Sequence, residues 1–262
     1  MQITFRNFCI FITLLFATIF FGLIISLFII PSFTAILNSL QAKEMMYSLE
    51  LSLITSAVST IAVLTLAIPI GYALSRFSFF GKNFLKSILD LPIAFPELVL
   101  GLCLLVFFGQ TFVGKVLNVL GIKIVFTKLG IIVAQVFTAL PYSTRILCST
   151  FESINPRIEL VSRSLGYTEF ETFRNITLPI AKEGILATTI ISFARCMGAF
   201  GAVLVLAGGS YMYTETLPIT IYLSLSYGNM DMAITSGIVL VIISFAAIYM
   251  FEKVDRGRTW HF

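Results

Sequence analysis

An all-α, polytopic integral membrane protein of about six transmembrane helices is the fold class that the sequence predicts, and three observations predict it. Of its 262 residues 58% are hydrophobic and only 11% charged, with a mean hydropathy of +1.00, far more apolar than a soluble domain. Its apolar runs recur at lengths matching the roughly 20 residues a helix needs to cross a bilayer. The charges that remain gather between those runs, most densely over 152–180. A soluble helical bundle does not fit, because each of its helices would need a polar face.

The first span is read at 8–30, preceded only by Arg6 and ending at Pro31. It is longer than a signal-peptide core and lacks a small-residue cleavage site, so it reads as a retained helix. A modest polar loop with Lys43, Glu44 and Glu50 leads to the second span, 51–75, where Pro69 and Gly71 permit a kink. Arg76, Lys82, Lys86 and Asp90 make a short basic loop before the third span, 91–108. Pro92 and Pro96 interrupt the start of that span beside Glu97. A carboxylate at membrane depth marks either a functional group or a residue at the interface. After Lys115, Lys123 and Lys128 comes the fourth span, 129–147, with Pro141 inside and Arg145 near its end. The fifth, 184–209, carries Arg195 in mid-course, which should face the bundle interior or a water-filled cavity. A stretch over 211–231 without Lys or Arg precedes the last span, 232–251, and a tail with Lys253, Arg256 and Arg258. No repeat or linker divides the chain, so 1–262 reads as one transmembrane domain.

Six spans put both termini on one side. Twelve of the seventeen Lys and Arg fall in that side's segments, four fall opposite, and Arg195 lies within a span. The positive-inside bias therefore places both termini and the polar segment in the cytosol.

That polar segment, 152–180, carries the clearest local design. Asn155 is suited to cap a helix whose first residue is Pro156, and Gly166 to stop it. Ile158, Val161 and Leu165 share one face, and Glu159 and Arg163 sit four apart on another in the favourable acid-first order. Thr168 and Glu171 make a capping box for a second helix, with Phe170, Phe173 and Thr177 along one side, and Pro179 stops or kinks it. Two short amphipathic helices with a tight joint describe a docking element.

Catalytic chemistry is not encoded. Cys9, Cys103, Cys148 and Cys196 are widely spaced in apolar surroundings and read as buried free thiols, the one histidine is His261, and metal-ligand spacing is missing. No nucleotide-binding GxxxxGK[ST] loop and no Ser/His/Asp, Cys/His or HExxH set can be assembled. Glu97 and Arg195 are the main intramembrane charges, too few for the proton relay of an ion-driven carrier. The net charge of +4 belongs to membrane-protein loops and not to a nucleic-acid face. The residues describe a membrane pathway and a docking surface, with the energy source elsewhere.

The polar segment resembles the cytosolic signature of permease subunits of ATP-binding-cassette importers, which runs EAA, glycine, nine residues, I-x-L-P. Gly166, Ile176, Leu178 and Pro179 match its second half, whereas Leu160-Val161-Ser162 replace the EAA. Residues 121–127, Leu140-Pro141-Tyr142, 193–204 and 207–209 are similar to the molybdate and sulfate permease branch, and 216–222 resemble molybdate permeases more closely. In that branch the position of Ala199 is commonly glutamate, so Arg195 either lacks a usual partner or faces the pathway alone.

The resemblance implies an importer permease for a tetrahedral oxyanion, molybdate or tungstate, with sulfate as the alternative cargo and an ion-coupled carrier as the alternative class. It implies a homodimer in the plasma membrane of a prokaryote, with two cytosolic ATP-binding subunits and an extracytoplasmic oxyanion-binding protein. ATP and magnesium would be held by the partner ATPase, and this chain would need no cofactor. ATPase coupling would fall to Ile158, Glu159, Val161, Arg163, Leu165, Gly166, Leu178 and Pro179, with the apolar edge packed into the partner or the second helix. The translocation pathway would include Glu97, Arg195, Gly198 and Gly201.

Overall fold

The computed structural model describes residues 2–29 and 31–255. The expected tail cations Arg256 and Arg258, and His261, lie outside the described residues. The described chain is helical throughout: α1 (Gln2–Ile29), α2 (Phe33–Gln41), α3 (Lys43–Arg76), α4 (Lys82–Ala94), α5 (Glu97–Gln110), α6 (Phe112–Val119) and α7 (Lys128–Ser153) come first. There follow α8 (Pro156–Ser164), α9 (Glu169–Thr172), a π turn (Phe173–Thr177), α10 (Leu178–Ile180), α11 (Lys182–Gly198), α12 (Gly201–Ala207), α13 (Leu217–Ser226) and α14 (Met230–Asp255). Four helices are long and apolar enough to span a membrane, or six if each of two bent pairs counts as one span.

The central pair is α3 against α7, with α11 laid across both. Gly71 makes the close approach possible, since a Cβ there would sit 2.9 Å from Cβ of Leu147. Buried Gln135 of α7 ties the three helices together. Its Nε2 donates to Thr55 Oγ1, Ser56 Oγ and the Cys196 carbonyl, while Ser59 Oγ donates to its Oε1 at 2.7 Å. A polar side chain so buried is tolerable because its partners satisfy it. By contrast α1 has its main contact with α14 and exposes its apolar surface nearly all round among the described residues, as a helix in lipid does.

Two spans differ from the sequence reading. The third does not run through from 91: α4 and α5 meet at 116°, so the chain turns sharply just before Glu97. Pro96 is the cause, because it disfavours the helical conformation at Phe95, which is extended (φ −85°, ψ 145°). The fifth span is two helices, α11 and α12, separated by extended Ala199 (ψ 119°). The first-loop residues Lys43, Glu44 and Glu50 belong to α3, which at 34 residues overshoots a bilayer core about 30 Å thick. Of the thiols expected to be buried, Cys148 and Cys196 are, but Cys9 and Cys103 lie on exposed faces.

The segment over 211–231 holds a further surprise. Glu215 is fully buried, accepting the Met212 N–H (3.0 Å) and the Thr220 hydroxyl (3.1 Å). Ser52 Oγ of α3 accepts the Leu217 N–H at 2.8 Å, so α13 is folded onto the bundle rather than left as a loop.

Candidate functional site

The polar segment forms the turn that its residues predict. Asn155 Oδ1 accepts the Arg157 N–H at 3.0 Å, and Pro156 opens α8. Gly166 takes φ +97°, the Tyr167 N–H reaches the Ser162 carbonyl, and the Gly166 N–H reaches Arg163, which is the Schellman pattern of a glycine-stopped helix. Thr168 and Glu171 then close their capping box. The Glu171 carboxyl is held below its usual range by accepting the Thr168 N–H and then the Thr168 hydroxyl. The π turn breaks the expected stripe, with Thr177 buried, Phe173 half-buried and Phe170 exposed. Beyond Pro179 the segment 169–180 meets α11 at 73°, so the chain kinks into the next helix.

One expected pairing is corrected. Glu159 does not face Arg163. It turns inward, where its Oε1 accepts Arg76 Nε at 3.0 Å and Thr177 Oγ1 at 2.9 Å, while Arg76 Nη2 also holds the Ile154 carbonyl at 2.9 Å. Arg163 instead pairs with Glu169 at 2.9 Å, on the surface. The Arg76–Glu159 pair is shielded, with side chains 9% and 10% exposed, so its attraction is less screened than that of the surface pair. An aromatic cluster seats the segment: Tyr72 lies 4.5 Å from Phe173 and 5.6 Å from Phe151, centroid to centroid.

With its acidic side anchored, α8 turns its apolar residues outward. Ile158, Leu160, Val161 and Leu165 are all exposed, Leu165 by 75%, and Tyr167 and Phe170 continue the patch. The expected edge therefore does not pack onto the second helix. Leu178 is half-buried and Pro179 exposed beside it.

The expected pathway residues separate into two places. Glu97 Oε2 accepts the N–H groups of Phe200 (3.2 Å) and Gly201 (3.1 Å), capping the start of α12 from the first turn of α5. Gly201 is packed tightly there, since a Cβ would lie 3.0 Å from Cβ of Glu97. Arg195 sits elsewhere, on an exposed face, its guanidinium 3.9 Å from the ring centroid of Tyr142. Gly198 is exposed, with open space where a Cβ would be. Arg195 and Tyr142 line a groove of about 710 Å³ between α7 and α11, which also takes in Arg145, Ser149, Ser153 and Glu183.

Arg76, Gln135 and Glu215 are the residues that sequence reasoning missed. Arg76 ends a long apolar helix, and its position against Glu159 depends on a contact 83 residues away.

Residues 65–259 match the model of the family described as the inner membrane component of binding-protein-dependent transport systems. The chain belongs to that family. It is the multi-pass membrane permease component of such a system, and not its ATPase. A molybdate/tungstate transport system permease protein of Methanocaldococcus jannaschii is 34% identical over 85% of this chain and 87% of its own. A putative molybdenum transport system permease protein of Bacillus subtilis is 32% identical, over 82% and 96%. A sulfate transport system permease protein of Salmonella typhimurium is 31% identical, over 78% and 73%. Among solved structures, a bacterial alginate ABC transporter crystallised with its pentasaccharide-bound periplasmic protein shares the fold, with TM-score 0.76 and 17% identity over 96% of this chain and 95% of that one.

Proposed function

We propose that the chain forms the translocation pathway of an ATP-driven importer for a tetrahedral oxyanion, molybdate or tungstate, and that α8 is the helix through which a cytosolic ATPase drives it. The observation that carries the coupling role is the exposed apolar edge of α8, held rigid from behind by Arg76, Glu159 and Thr177. Full burial of such a side chain contributes about 1.5–3 kcal/mol; these four are already partly covered, so each adds less and the edge contributes to a larger interface. The stop at Gly166 and the bend after Pro179 link movement of α8 to α11, where Arg195 lies. The names and extent of the relatives support the oxyanion cargo.

In this reading two copies enclose the pathway, both termini and α8 face the cytosol, and two ATP-binding subunits seat the two α8 helices. ATP and magnesium belong to those subunits. A binding protein delivers the anion from outside, and rocking of one copy against the other alternates access. The test is uptake into vesicles holding the assembled complex, with binding protein and labelled molybdate, tungstate or sulfate outside and ATP inside. ATP-dependent uptake of molybdate or tungstate in preference to sulfate is expected. Preference for sulfate would overturn the cargo, and uptake that needs an ion gradient but no ATP would overturn the class.

A further inference from the structure

We propose that Tyr211, Met212 and Tyr213, with Lys128 beside them, form the surface on which the extracytoplasmic oxyanion-binding protein docks. The inference rests on the importer reading above and names the part of this chain that the delivering protein touches.

The surface lies at the far end of the bundle from α8. Arg76 and Ile154, where α3 and α7 end, meet beside α8, whereas Tyr47 and Lys128 lie near the starts of the same two helices. The two helices run parallel, and α7 alone is about 39 Å long, more than a bilayer core about 30 Å thick. An ATPase seated on α8 therefore leaves this end to a partner on the other side of the membrane.

Lys128 is placed against local helix preference. It is the first residue of α7, where the helix dipole favours an acid and disfavours a cation. Its side chain is exposed and belongs to neither ion pair of the described residues. The ammonium instead lies 5.3 Å from the ring centroid of Tyr47 and 6.0 Å from that of Tyr213, contacts that hold it without covering it. A cation so presented fits a carboxylate on the partner, and the rings beside it supply apolar contact area.

The loop that carries the other three residues is rigid by construction. Buried Thr214 donates its hydroxyl to the Ala207 carbonyl and accepts the Ser210 N–H, both at 2.9 Å. Tyr47 donates its hydroxyl to the Tyr213 carbonyl at 3.0 Å. Met212 takes φ +48°, in the left-handed region that residues other than glycine seldom enter, and fully buried Glu215 holds its N–H at 3.0 Å. Backbone strain kept in place by buried groups clusters at ligand clamps and other functional sites. Here it leaves Tyr211, Met212 and Tyr213 exposed together, Tyr211 by 63%. Tyrosine is enriched at protein interfaces because it offers a large amphipathic area at little conformational cost. A groove of about 660 Å³ opens beside Met212, lined also by Lys43, Met46, Tyr47 and Glu50, and gives a loop of the partner a place to enter.

Tyrosines at a membrane interface also serve as lipid anchors. The observations favour a protein, because Tyr47 and Lys128 belong to the central pair of α3 and α7 and not to the lipid-facing α1.

The test is made on the assembled complex in nanodiscs, reading ATP hydrolysis as molybdate-loaded binding protein is added. Lys128→Glu and Tyr211→Ala should each raise the half-saturating concentration at least about tenfold, with the plateau regained at saturation, while Lys128→Arg keeps the original value. Glutamate is favoured at a helix start, so Lys128→Glu leaves α7 able to form. Tyr227→Ala, at an exposed tyrosine between α13 and α14 and outside the patch, is the control and should leave the curve unchanged. A half-saturating concentration indifferent to Lys128→Glu and Tyr211→Ala, or shifted as far by Tyr227→Ala, overturns the docking surface and leaves the importer reading standing. So does a loss of assembly or thermal stability in Tyr211→Ala without a shift in that concentration, which would mark a lipid anchor or a contact between copies. No response of the unaltered complex to the loaded binding protein overturns both.

Discussion

Arg76 and Glu159, 83 residues apart in sequence, meet at 3.0 Å at the base of α8, and the same guanidinium also holds the carbonyl of Ile154. Arg76, the last residue of the 34-residue α3, thus grips the first turn of α8 at Glu159 and the end of α7 at Ile154. Glu159 is charged and largely buried, so removing its partner leaves an uncompensated charge. Replacing Arg76 with methionine should destabilise the fold by about 3–5 kcal/mol, whereas replacing both residues with apolar ones of similar volume should cost much less. Thermal unfolding of the purified single and double variants measures the difference. A double variant as unstable as the sum of the singles would show that the pair does not act as a unit.

Gly166 sits at φ +97° between α8 and α9, in a region that only glycine enters freely. No atom lies within 4 Å of a Cβ built there, so the cost of a side chain is conformational and not steric crowding. Gly166→Val should therefore distort the joint by at least about 1–2 kcal/mol, with Gly166→Asn tolerated because asparagine visits the left-handed region. The expected result is weaker retention of the ATPase subunit, or ATP hydrolysis without transport, for valine alone. Equal co-purification and coupling ratios for all three chains would count against a rigid joint.

Glu171 carries a pH dependence whose sign follows from its hydrogen bonds. Its carboxylate accepts the Thr168 N–H at 2.8 Å and the Thr168 hydroxyl at 2.8 Å, which lowers its folded pKa below 4.5, the ordinary value. The capping box is then fully stabilising above pH 4.5 and weakens as pH falls through the depressed folded value. Amide exchange at Thr168, corrected for intrinsic rates, should be protected at pH 6 and lose protection on acidification, as expected when a cap's acceptor is protonated. Glu171→Gln should flatten that dependence. A dependence that survives in the glutamine variant would assign it to another group.

How much of this was legible beforehand depended on whether a residue's role is local. The Asn155–Pro156 start, the Gly166 stop and the Thr168–Glu171 box are decided within four residues, and each forms as its sequence implies. Pro96 announced an interruption, but not that the chain would fold back at 116°. The i, i+4 spacing of Glu159 and Arg163 was sound helix physics, yet an exposed pair of that kind is worth only about 0.3–0.5 kcal/mol. Arg76 and Thr177 offered Glu159 a shielded site with two donors, and Glu169 offered Arg163 another partner, so tertiary contacts won. Gln135 escaped notice for the same reason, since the partners that let it be buried lie 61 to 80 residues away. Glu215, by contrast, bonds locally, to Met212 and Thr220, and it is the burial of that turn that the sequence did not announce.

Glu97 provides the sharpest separation between a pathway role and an architectural one. Its carboxylate accepts two N–H groups at the start of α12, across the α5–α12 contact, where Gly201 leaves no room for a side chain. Those two donors belong to a helix start and have no carbonyl one turn back to bond. Without an acceptor each buried donor costs about 1–3 kcal/mol. Glutamine keeps one oxygen that can accept, while alanine keeps none. An architectural Glu97 therefore predicts that Glu97→Gln retains most stability and most uptake, and that Glu97→Ala loses both together. A Glu97 whose charge serves transport predicts instead a stable, correctly assembled Glu97→Gln chain with uptake abolished. Measuring unfolding temperature and ATP-driven uptake on the two variants distinguishes the outcomes. The geometry at Phe200 and Gly201 favours the first, because the charge is already engaged by the helix start it holds in place.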